Sequence, residues 1–386
     1  MKPANTVMNG LGTTVFEVMS RLAIEHGSIN LGQGFPDQDG PQDVRRAAAD
    51  ALMAGPNQYP PMAGLPELRQ AIARHAKRFY DLDVDWQSEV VVTSGATEAL
   101  ADCLFGLLNP GDEVVLLEPL YDSYAPIVER AGAVPRFVRL EPPEWSLPLD
   151  ELSRAFGPRT KAILLNTPMN PASKVFGTDE LRAIAGLCIA HDVVAICDEV
   201  YEHLVFDGAP HVPLIGLPGM RERCLKIGSA GKIFSLTGWK VGWIVGAPDL
   251  MAPIMKTHQF MTFTTAPNLQ RAVAYGLDKD DAYFAALAGD MQAKRDRLTT
   301  GLAQAGFDVL PSAGTYFVSA DFRPLGFNGT DEEFCRLITL EAGVTAVPVS
   351  AFYRSGQIRH LARFCFSKRD AILDEASRRL ALRFAG

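Results

Sequence analysis

The chain has 386 residues, of which 47% are hydrophobic and 21% charged, and its formal net charge is −8. This length suffices for two domains, or for one large domain with an appendage. The acidic balance argues against nucleic-acid binding, which normally requires a basic face, and no apolar run is long enough to cross a bilayer. We therefore expect a globular protein with neither nucleic acid nor a membrane as a partner.

The six cysteines favour a reducing compartment. They show no C-x-x-C pairing, and several lie inside apolar runs, such as Cys197 in VVAICDEV. Buried free thiols are therefore predicted, against the alternatives of disulfides or a zinc site. The N-terminal MKPANTVMNGLG lacks the apolar core of a signal peptide. We expect a cytoplasmic protein without a metal site.

The first two thirds of the chain alternate helical patterns with short apolar runs. Helices are predicted at 64–80, 96–108 and 123–132 from the spacing of their apolar residues. The apolar runs predict strands at 89–95, 113–119, 161–166, 193–200, 224–229 and 241–247. Strands that are apolar throughout and separated by helices indicate an α/β fold with a mostly parallel sheet covered on both faces.

The hydrophobic pattern changes after about residue 275. Residues 290–306 have the pattern of an amphipathic helix, and 313–322 and 359–368 have that of strands. These elements predict a smaller α+β domain that packs with the start of the chain. The predicted division is a large domain of residues 45–275 and a small domain formed by residues 1–44 and 276–386.

Polar residues follow the predicted strands, and open parallel sheets bind ligands at the carboxyl ends of their strands. Gly95, Ala96 and Thr97 open a helix after the first of these strands. This start is either a simple N-cap or a phosphate cradle, in which free backbone N–H groups and the helix dipole attract an anion. Ser229 and Lys240 would complete such a cradle with a hydroxyl and a positive charge.

Asp198 ends a strongly apolar strand, where an unpaired carboxylate is expensive to bury. It forms either a structural salt bridge or the partner of a cationic ring nitrogen. At about 4 Å and an effective dielectric of about 20, the attraction is roughly 4 kcal/mol, equivalent to about three pKa units. Desolvation offsets part of this, and the remainder would keep a pyridine protonated. Tyr201 and Asn170 are candidates to contact a ring oxygen, and Tyr121 to stack on the ring.

Lys232 lies among small and apolar residues in SAGKIFSLTGWKVGW. It is either a capping or solvated lysine, or a nucleophile. An amine forms a Schiff base only when it is unprotonated, so the second interpretation requires a site that lowers its pKa. Because the first interpretation leaves the other polar clusters unexplained, the sequence favours a lysine that holds an aldehyde cofactor.

Several segments in fixed order resemble those of the class I/II aminotransferases, which are pyridoxal-phosphate enzymes of fold type I. The segments cover nearly the whole chain: INLGQGFPD, NQYPPMAGLPELRQAIA, VTSGATEAL, EPLYDSY, LLNTPMNPASKVF, CDEVYEHLVFDG, SAGKIFSLTGWKVGW, AGTYFV and ARFCFSK. They are most similar to the branch of kynurenine aminotransferase (glutamine transaminase K) and the bacterial methionine aminotransferases. The resemblance implies a seven-stranded, mostly parallel sheet, pyridoxal 5'-phosphate as cofactor, and a homodimer.

The resemblance also implies the role of each site residue. Lys232 is similar to the Schiff-base lysine and proton-transferring base, and Asp198 and Tyr201 complete the catalytic set. The implied cofactor contacts are Gly95, Ala96, Thr97, Tyr121, Asn170, Asp198, Tyr201, Ser229, Lys232, Lys240 and, across the subunit interface, Tyr59. The implied substrate contacts are Arg363, which grips the α-carboxylate, Gly34, Asn170, Phe35 and, across the interface, Phe263.

Two positions depart from the family pattern. Ser173 stands in the turn after Asn170, where the family often has glycine, and serine fits such a turn less well. Val15 stands where kynurenine aminotransferases carry a tryptophan, so we expect an aromatic wall to be missing and kynurenine to be a poor substrate.

The resemblance implies transfer of an amino group from an L-amino acid to a 2-oxo acid by a ping-pong mechanism. No second arginine is evident for a side-chain carboxylate, so neutral donors are predicted: methionine, glutamine and aromatic amino acids. One alternative is β-elimination from cystathionine or cysteine conjugates on the same cofactor. Another is a non-enzymatic ligand-binding regulator, since fold alone does not fix function.

Overall fold

The computed structural model describes residues 2–354 and 358–384. Its helices are α1 (Thr6–Asn9), α2 (Val15–Glu25), α3 (Gln42–Ala54), α4 (Pro66–Tyr80), α5 (Ala96–Leu107), α6 (Tyr124–Arg130), α7 (Leu149–Ala155), α8 (Thr178–His191), α9 (Ala230–Ile233), α10 (Pro248–Met261), α11 (Pro267–Leu277), α12 (Asp281–Gln304), α13 (Asp331–Leu337) and α14 (Asp370–Phe384). Its strands are β1 (Ile29–Asn30), β2 (Val90–Thr93), β3 (Glu113–Glu118), β4 (Val134–Arg139), β5 (Thr160–Asn166), β6 (Val194–Asp198), β7 (Cys224–Ser229), β8 (Gly242–Gly246), β9 (Asp308–Val309), β10 (Phe317–Asp321), β11 (Val344–Thr345), β12 (Val347–Pro348) and β13 (Leu361–Cys365).

A seven-stranded sheet forms the centre of the fold, in the order β2-β8-β7-β6-β5-β3-β4. Strand β8 runs antiparallel to β2 and β7, whereas all other neighbours are parallel. Strands β3 and β6 are buried at every residue, because helices cover both faces of the sheet. The predicted α/β class and mostly parallel seven-stranded sheet are confirmed.

Strand β4 is the member of this sheet that the sequence patterns missed. It lies at the edge, pairs only with β3 in this sheet, and contains Pro135. Its residues are mostly exposed or half-buried, so it lacks the continuous apolar run that marks the central strands. Proline is tolerated at a sheet edge because one side of the strand needs no ladder hydrogen bond.

The C-terminal part builds a second, antiparallel sheet in the order β12-β13-β10-β9. The predicted strands at 313–322 and 359–368 correspond to β10 and β13. Near the start of the chain β1 pairs in parallel with β11, Ile29 beside Val344. Helix α12 is longer than predicted and begins at Asp281, where the Asp280 side chain caps it by accepting from the Tyr283 N–H. The division at residues 44/45 and 275/276 remains a prediction.

The register of the central sheet sets polar groups side by side. Asn166, the last residue of β5, pairs with Asp198, the last residue of β6. Ser229 ends the neighbouring β7. Three buried strands therefore deliver their polar ends to one edge, while the apolar residues before them stay in the core.

Two further expectations concern buried free thiols and the absence of a membrane-spanning segment. All six cysteines are buried and free, as predicted. Among the helices of the described residues, none is both long and apolar enough to cross a membrane.

The contact between β7 and β8 generates a stability prediction. Gly228 pairs with Trp243, and a Cβ on Gly228 would lie 2.4 Å from the indole ring. We expect Gly228→Ala to lower the free energy of unfolding by roughly 1–3 kcal/mol, because the overpacked ring must shift. Denaturant unfolding midpoints measure this. As a matched control, Gly186→Ala in α8 has nothing within 4 Å and should stabilise the chain by up to about 1 kcal/mol. Equal effects of the two substitutions would contradict the packing argument.

Candidate active site

A cavity of about 430 Å³ lies at the carboxyl ends of β5, β6 and β7. Every predicted site residue except Tyr59 and Phe263 lines it: Gly34, Phe35, Gly95, Ala96, Thr97, Tyr121, Asn170, Asp198, Tyr201, Ser229, Lys232, Lys240 and Arg363. The first and the last of these residues, Gly34 and Arg363, lie more than 300 positions apart in the sequence, yet the fold brings them to one cavity.

Lys232 lies on the short helix α9, directly after β7. Its Nζ donates to the Tyr316 hydroxyl at 2.8 Å. Burial lowers the pKa of this amine to about 8, and the negative charge of Asp198 opposes the shift. An amine with such a pKa is unprotonated in a substantial fraction of molecules near neutral pH, as nucleophilic and basic lysines require.

Asp198 is 5% exposed at the end of β6. The Tyr124 hydroxyl donates to its Oδ2 at 2.6 Å, and the Val200 N–H contacts Oδ1 at 3.4 Å. Burial raises the pKa of this carboxyl, and the hydrogen bond from Tyr124 opposes the rise. A carboxylate so deeply buried, with only neutral hydrogen-bond donors, suits a cationic ligand atom in the cavity.

The start of helix α5 forms a cradle for an anion. No side chain caps this helix, and Gly95 before it adopts a φ of +82°. A Cβ on Gly95 would lie 3.1 Å from Lys240 Nζ, and one on Gly242 would lie 2.7 Å from the Gly95 carbonyl carbon. The glycines thus let an ammonium group and strand β8 approach the helix backbone closely. Free N–H groups at a helix start beside the Lys240 ammonium match a phosphate.

Arg363 on β13 is 1% exposed. Its Nη1 donates to Asn170 Oδ1 at 2.7 Å and its Nη2 to the Gly32 carbonyl at 2.8 Å. Its Nε is buried and has no hydrogen-bond partner among the residues that the structure describes. Burial lowers the pKa of the guanidinium to about 10, so the group stays charged at neutral pH. A buried cation with an unused donor fits an anionic ligand such as a carboxylate.

The aromatic wall that the sequence predicted to be missing is present, and this prediction was wrong. Val15 does not line the cavity, but the next residue, Phe16, does. The Arg363 guanidinium lies 5.3 Å from the Phe16 ring centroid, and Phe16 packs edge-on against Phe352 at 5.5 Å. The N-terminal segment therefore supplies its aromatic side chain one position later than expected.

Ser173 adopts the left-handed conformation that a glycine would favour, with a φ of +57°. Its hydroxyl donates to the Phe317 carbonyl at 2.7 Å and lies 3.1 Å from the Thr315 hydroxyl. These buried bonds, each worth about 1 kcal/mol, offset the strain of the turn. The departure from glycine is thus accommodated without displacing Asn170 from the cavity.

Tyr59 and Phe263 lie away from this cavity in a single chain. They contact each other edge-on, with ring centroids 5.4 Å apart, and Tyr59 is 83% exposed. Phe260 and Met261, which end α10 shortly before Phe263 in the sequence, are exposed as well. One chain alone therefore gives neither residue a place in the site.

Two tyrosines in the site were missed by the sequence analysis. Tyr124 holds Asp198, and Tyr316 holds Lys232. Tyr124 begins helix α6 three positions after Tyr121, and the two rings lie 5.7 Å apart; this closeness in the sequence was an available signal. Tyr316 lies in the quoted segment AGTYFV, but nothing in a single sequence indicates that its hydroxyl reaches the lysine.

A second layer of charged groups supports the start of α5. His258 contacts Glu98 Oε1 through Nδ1 at 2.9 Å and the Met62 carbonyl through Nε2 at 3.1 Å, and Asp102 lies 3.6 Å away. The two carboxylates raise the pKa of His258 to about 9 against the effect of burial. This trio and His75, Glu202 and His203 are both compact enough to consider as metal ligands, and the absence of a metal remains a prediction.

Comparison with known proteins identifies relatives that match nearly the whole length of this chain. The family described as aminotransferase class I and II matches residues 27–380. A probable N-succinyldiaminopimelate aminotransferase of Mycobacterium tuberculosis is 49% identical over 381 residues, and the match covers 96% of each chain. The methionine aminotransferase of Escherichia coli is 39% identical over 370 residues, again 96% of each chain. The solved structure of N-succinyldiaminopimelate aminotransferase from Mycobacterium tuberculosis has a TM-score of 0.96 and 48% identity, covering 98% of this chain and 100% of that one. The predicted resemblance to fold type I aminotransferases is confirmed.

The contact between Tyr124 and Asp198 generates a binding prediction. Tyr124→Phe removes a hydrogen bond to a buried carboxylate, which raises the pKa of Asp198 further and weakens its attraction for a cationic ring. We expect the dissociation constant of pyridoxal 5'-phosphate to rise by about tenfold or more, measured by equilibrium dialysis. Tyr353→Phe is the control, because it loses a buried hydroxyl bond to the Leu140 carbonyl outside the cavity. Equal affinities of the two variants would contradict the assignment.

Proposed function

Because this chain belongs to the class I and II aminotransferases, we propose that it moves the amino group of a neutral L-amino acid to a 2-oxo acid. It is a pyridoxal-phosphate-dependent transferase, as its family membership shows. One observation carries the proposal for this site: a half-buried lysine of lowered pKa and a buried carboxylate line the same cavity as an arginine whose Nε has no partner among the described residues. These groups match an aldehyde, a ring nitrogen and a carboxylate.

The lining residues fit pyridoxal 5'-phosphate. When bound, this cofactor supplies an aldehyde that condenses with amines and a cationic ring that draws electrons from the substrate Cα. The N–H groups of Ala96 and Thr97, the Ser229 hydroxyl and the Lys240 ammonium would hold its phosphate, whereas the Gly95 N–H donates to the Thr93 carbonyl at 2.8 Å and Gly95 would border the phosphate with its backbone. Their donors and positive charge suit a dianion.

The remaining cofactor contacts set the charge and orientation of the ring. Asp198 keeps the ring nitrogen protonated, because a buried anion strongly favours a nearby cation. Tyr121, half-buried on the cavity wall, stacks on the ring. Asn170 and Tyr201, which line the same cavity, would hold the ring hydroxyl by hydrogen bonds.

Lys232 acts as the base for the substrate. In its unprotonated form the amine would take the proton from the substrate Cα and carry it on Nζ, which is the base role that amino transfer requires. Its pKa of about 8 lies near neutral pH, where a general base is most effective. Burial rather than a neighbouring cation is the main cause of this value.

The substrate is held by its α-carboxylate. Arg363 offers its unused Nε–H, and a planar guanidinium matches a planar carboxylate. The Gly34 backbone and the Asn170 side chain border the same space. A Cβ on Gly34 would lie 2.5 Å from the Phe317 ring, so this backbone segment is packed too tightly to accept a side chain.

The charges of the cavity favour amino-acid donors with an uncharged side chain. Among its described lining residues the cations are Lys232, Lys240 and Arg363, and each already has a role. Phe16 and Phe35 instead offer apolar surface to a substrate side chain. Methionine, glutamine and aromatic amino acids are therefore the proposed donors.

An N-succinylated diamino acid is the second candidate donor. The observation in its favour is the 49% identity to the probable N-succinyldiaminopimelate aminotransferase. Such a substrate carries further carboxylates, for which the described lining of a single chain offers no additional cation. A partner subunit would have to supply one.

We also propose a homodimer in which Tyr59 and Phe263 enter the site of the other subunit. Support comes from the surface around them, where Tyr59 and Phe260 are each 83% exposed. Clustered apolar side chains of this kind mark interaction surfaces. The cytoplasmic location is likewise a proposal, supported by the six free, buried cysteines.

A panel of donors tests the proposed reaction. We expect methionine, glutamine and phenylalanine to bleach the visible band of the bound cofactor and to yield their oxo acids, and Lys232→Ala to lose both signals. The panel includes kynurenine, aspartate, N-succinyldiaminopimelate and cystathionine. Exclusive use of aspartate would refute the neutral-pocket argument, N-succinyldiaminopimelate alone would establish the second candidate, and pyruvate release from cystathionine would establish β-elimination.

Hybrid dimers test the shared site. Lys232→Ala is co-expressed with Tyr59→Ala, and the mixture is assayed at a cofactor concentration that leaves the Tyr59→Ala site empty. In a mixed dimer, one of the two sites then combines a native Lys232 with a native Tyr59 from the other subunit. We expect about a quarter of the wild-type activity, since about half of the dimers are mixed and each has one native site. No recovery over the separate variants would place Tyr59 outside the neighbouring site.

A further inference from the structure

Tyr316 connects Lys232 to the segment that borders the substrate pocket. Its hydroxyl accepts from Lys232 Nζ at 2.8 Å and donates to the Gly34 carbonyl at 2.5 Å. The side chain is 1% exposed, so water does not compete for these bonds. None of the roles assigned above uses this residue.

The number of hydrogen atoms fixes the direction of both bonds. A phenol has one O–H, and Tyr316 uses it on the Gly34 carbonyl, which can only accept. The Tyr316 oxygen can therefore only accept from Lys232. A neutral amine has two N–H groups and one lone pair, and when one N–H points at Tyr316 the lone pair points away from it.

The position of the Tyr316 hydroxyl is itself fixed by packing. Its ring lies edge-on to Tyr201 at 5.1 Å and to Phe317 at 4.7 Å between centroids. The Gly34 carbonyl is fixed in turn, because Phe317 fills the space where a Cβ would stand. The acceptor for Lys232 thus belongs to a rigid group rather than to a mobile side chain.

We propose that Tyr316 is a positioning residue that holds the amine of Lys232, whenever this lysine is not bonded to the cofactor, with its lone pair towards the substrate. The inference rests on the proposed role of Lys232. It gives the base a defined orientation during the half of the cycle in which the lysine is released, and near-attack geometry of this kind accelerates proton transfer.

The charged and titratable groups around Lys232 come from several elements. They are Asp198 on β6, Arg363 and Cys365 on β13, and Lys240 before β8. Asp198 and Cys365 raise the pKa of the lysine, whereas Lys240 and Arg363 lower it. Tyr316→Phe leaves all of them in place, so it isolates the effect of the hydroxyl.

Removal of the acceptor has a predicted sign. A charged ammonium bonds to an acceptor more strongly than a neutral amine does, so Tyr316→Phe destabilises the protonated lysine more than the neutral one. The pKa of Lys232 then falls by about one unit. The acid limb of the kcat profile moves to lower pH by the same amount, while kcat falls by about tenfold or more because the lone pair is no longer oriented.

The closing experiment has two readouts on the full-length enzyme. The first is kcat against pH with the best donor of the panel. The second is independent of turnover: the enzyme is loaded with pyridoxamine 5'-phosphate, which leaves Lys232 unbonded, and trace acetic anhydride labels the lysine at a series of pH values. Mass spectrometry of the peptide that contains Lys232 then reports its pKa. Coincident downward shifts in both readouts support the proposal, and an unshifted labelling pKa overturns it.

Two further variants separate the possible causes. Tyr353→Phe loses a buried hydroxyl bond elsewhere and should leave both pH profiles unchanged. If Tyr316→Phe fails to fold, 3-fluorotyrosine at position 316 keeps the ring shape but weakens the oxygen as an acceptor, and it should shift the labelling pKa downwards by a smaller amount. An unchanged pKa in this variant overturns the proposal as well.

A failure of the proposed function is distinguishable from a failure of this inference. Borohydride reduction of the pyridoxal form tags the lysine that carries the cofactor. A tag on a residue other than Lys232 removes the proposed function and this inference together. A tag on Lys232 with no pH shift in Tyr316→Phe removes only the role of Tyr316.

Discussion

A half-buried amine and a buried carboxyl group in one cavity are the constraint on which the site depends. Loss of water lowers the pKa of Lys232 and raises that of Asp198, and the charge of each group opposes the shift of the other. A ligand with an aldehyde and a basic ring nitrogen satisfies both, because it consumes the amine and gives the carboxylate a cation. In the proposed site, the desolvation that makes these groups expensive alone would therefore contribute to cofactor affinity.

The sheet makes this burial possible without losing the fold. Asp198 is the last residue of β6, and Lys232 lies on α9 directly after the adjacent parallel strand β7. The other residues of both strands are buried. The apolar residues of the strands supply the stability, and the polar residues Asn166, Asp198 and Ser229 occupy the last paired positions at the carboxyl ends. At the start of helix α5, Gly95 and Gly242 have no side chains, so β8 and Lys240 can approach the helix backbone closely.

The sequence predicted what depends on local pattern and missed what depends on distant contact. Buried strands have a recognisable run of apolar side chains, and polar residues follow these runs. The central sheet and most of the cavity residues could therefore be predicted. Strand β4 was missed because an edge strand needs no such run. Tyr124 and Tyr316 were missed because their partners lie 74 and 84 positions away. Phe16 was missed because the sequence analysis compared the aromatic residue of the family with Val15, one position earlier.

The chemical type of these two tyrosines follows from the same constraint. Burial raises both of their pKa values well above the ordinary value, so both hydroxyls stay neutral. Tyr124 donates to the carboxylate and Tyr316 accepts from the amine, and neither cancels the charge beside it. An arginine at position 124 would pair with Asp198 and leave no attraction for a ring nitrogen, and a carboxylate at position 316 would raise the pKa of Lys232 and keep it protonated. A site that must bind a cationic ring and release a neutral amine needs neutral hydrogen-bonding partners at both positions.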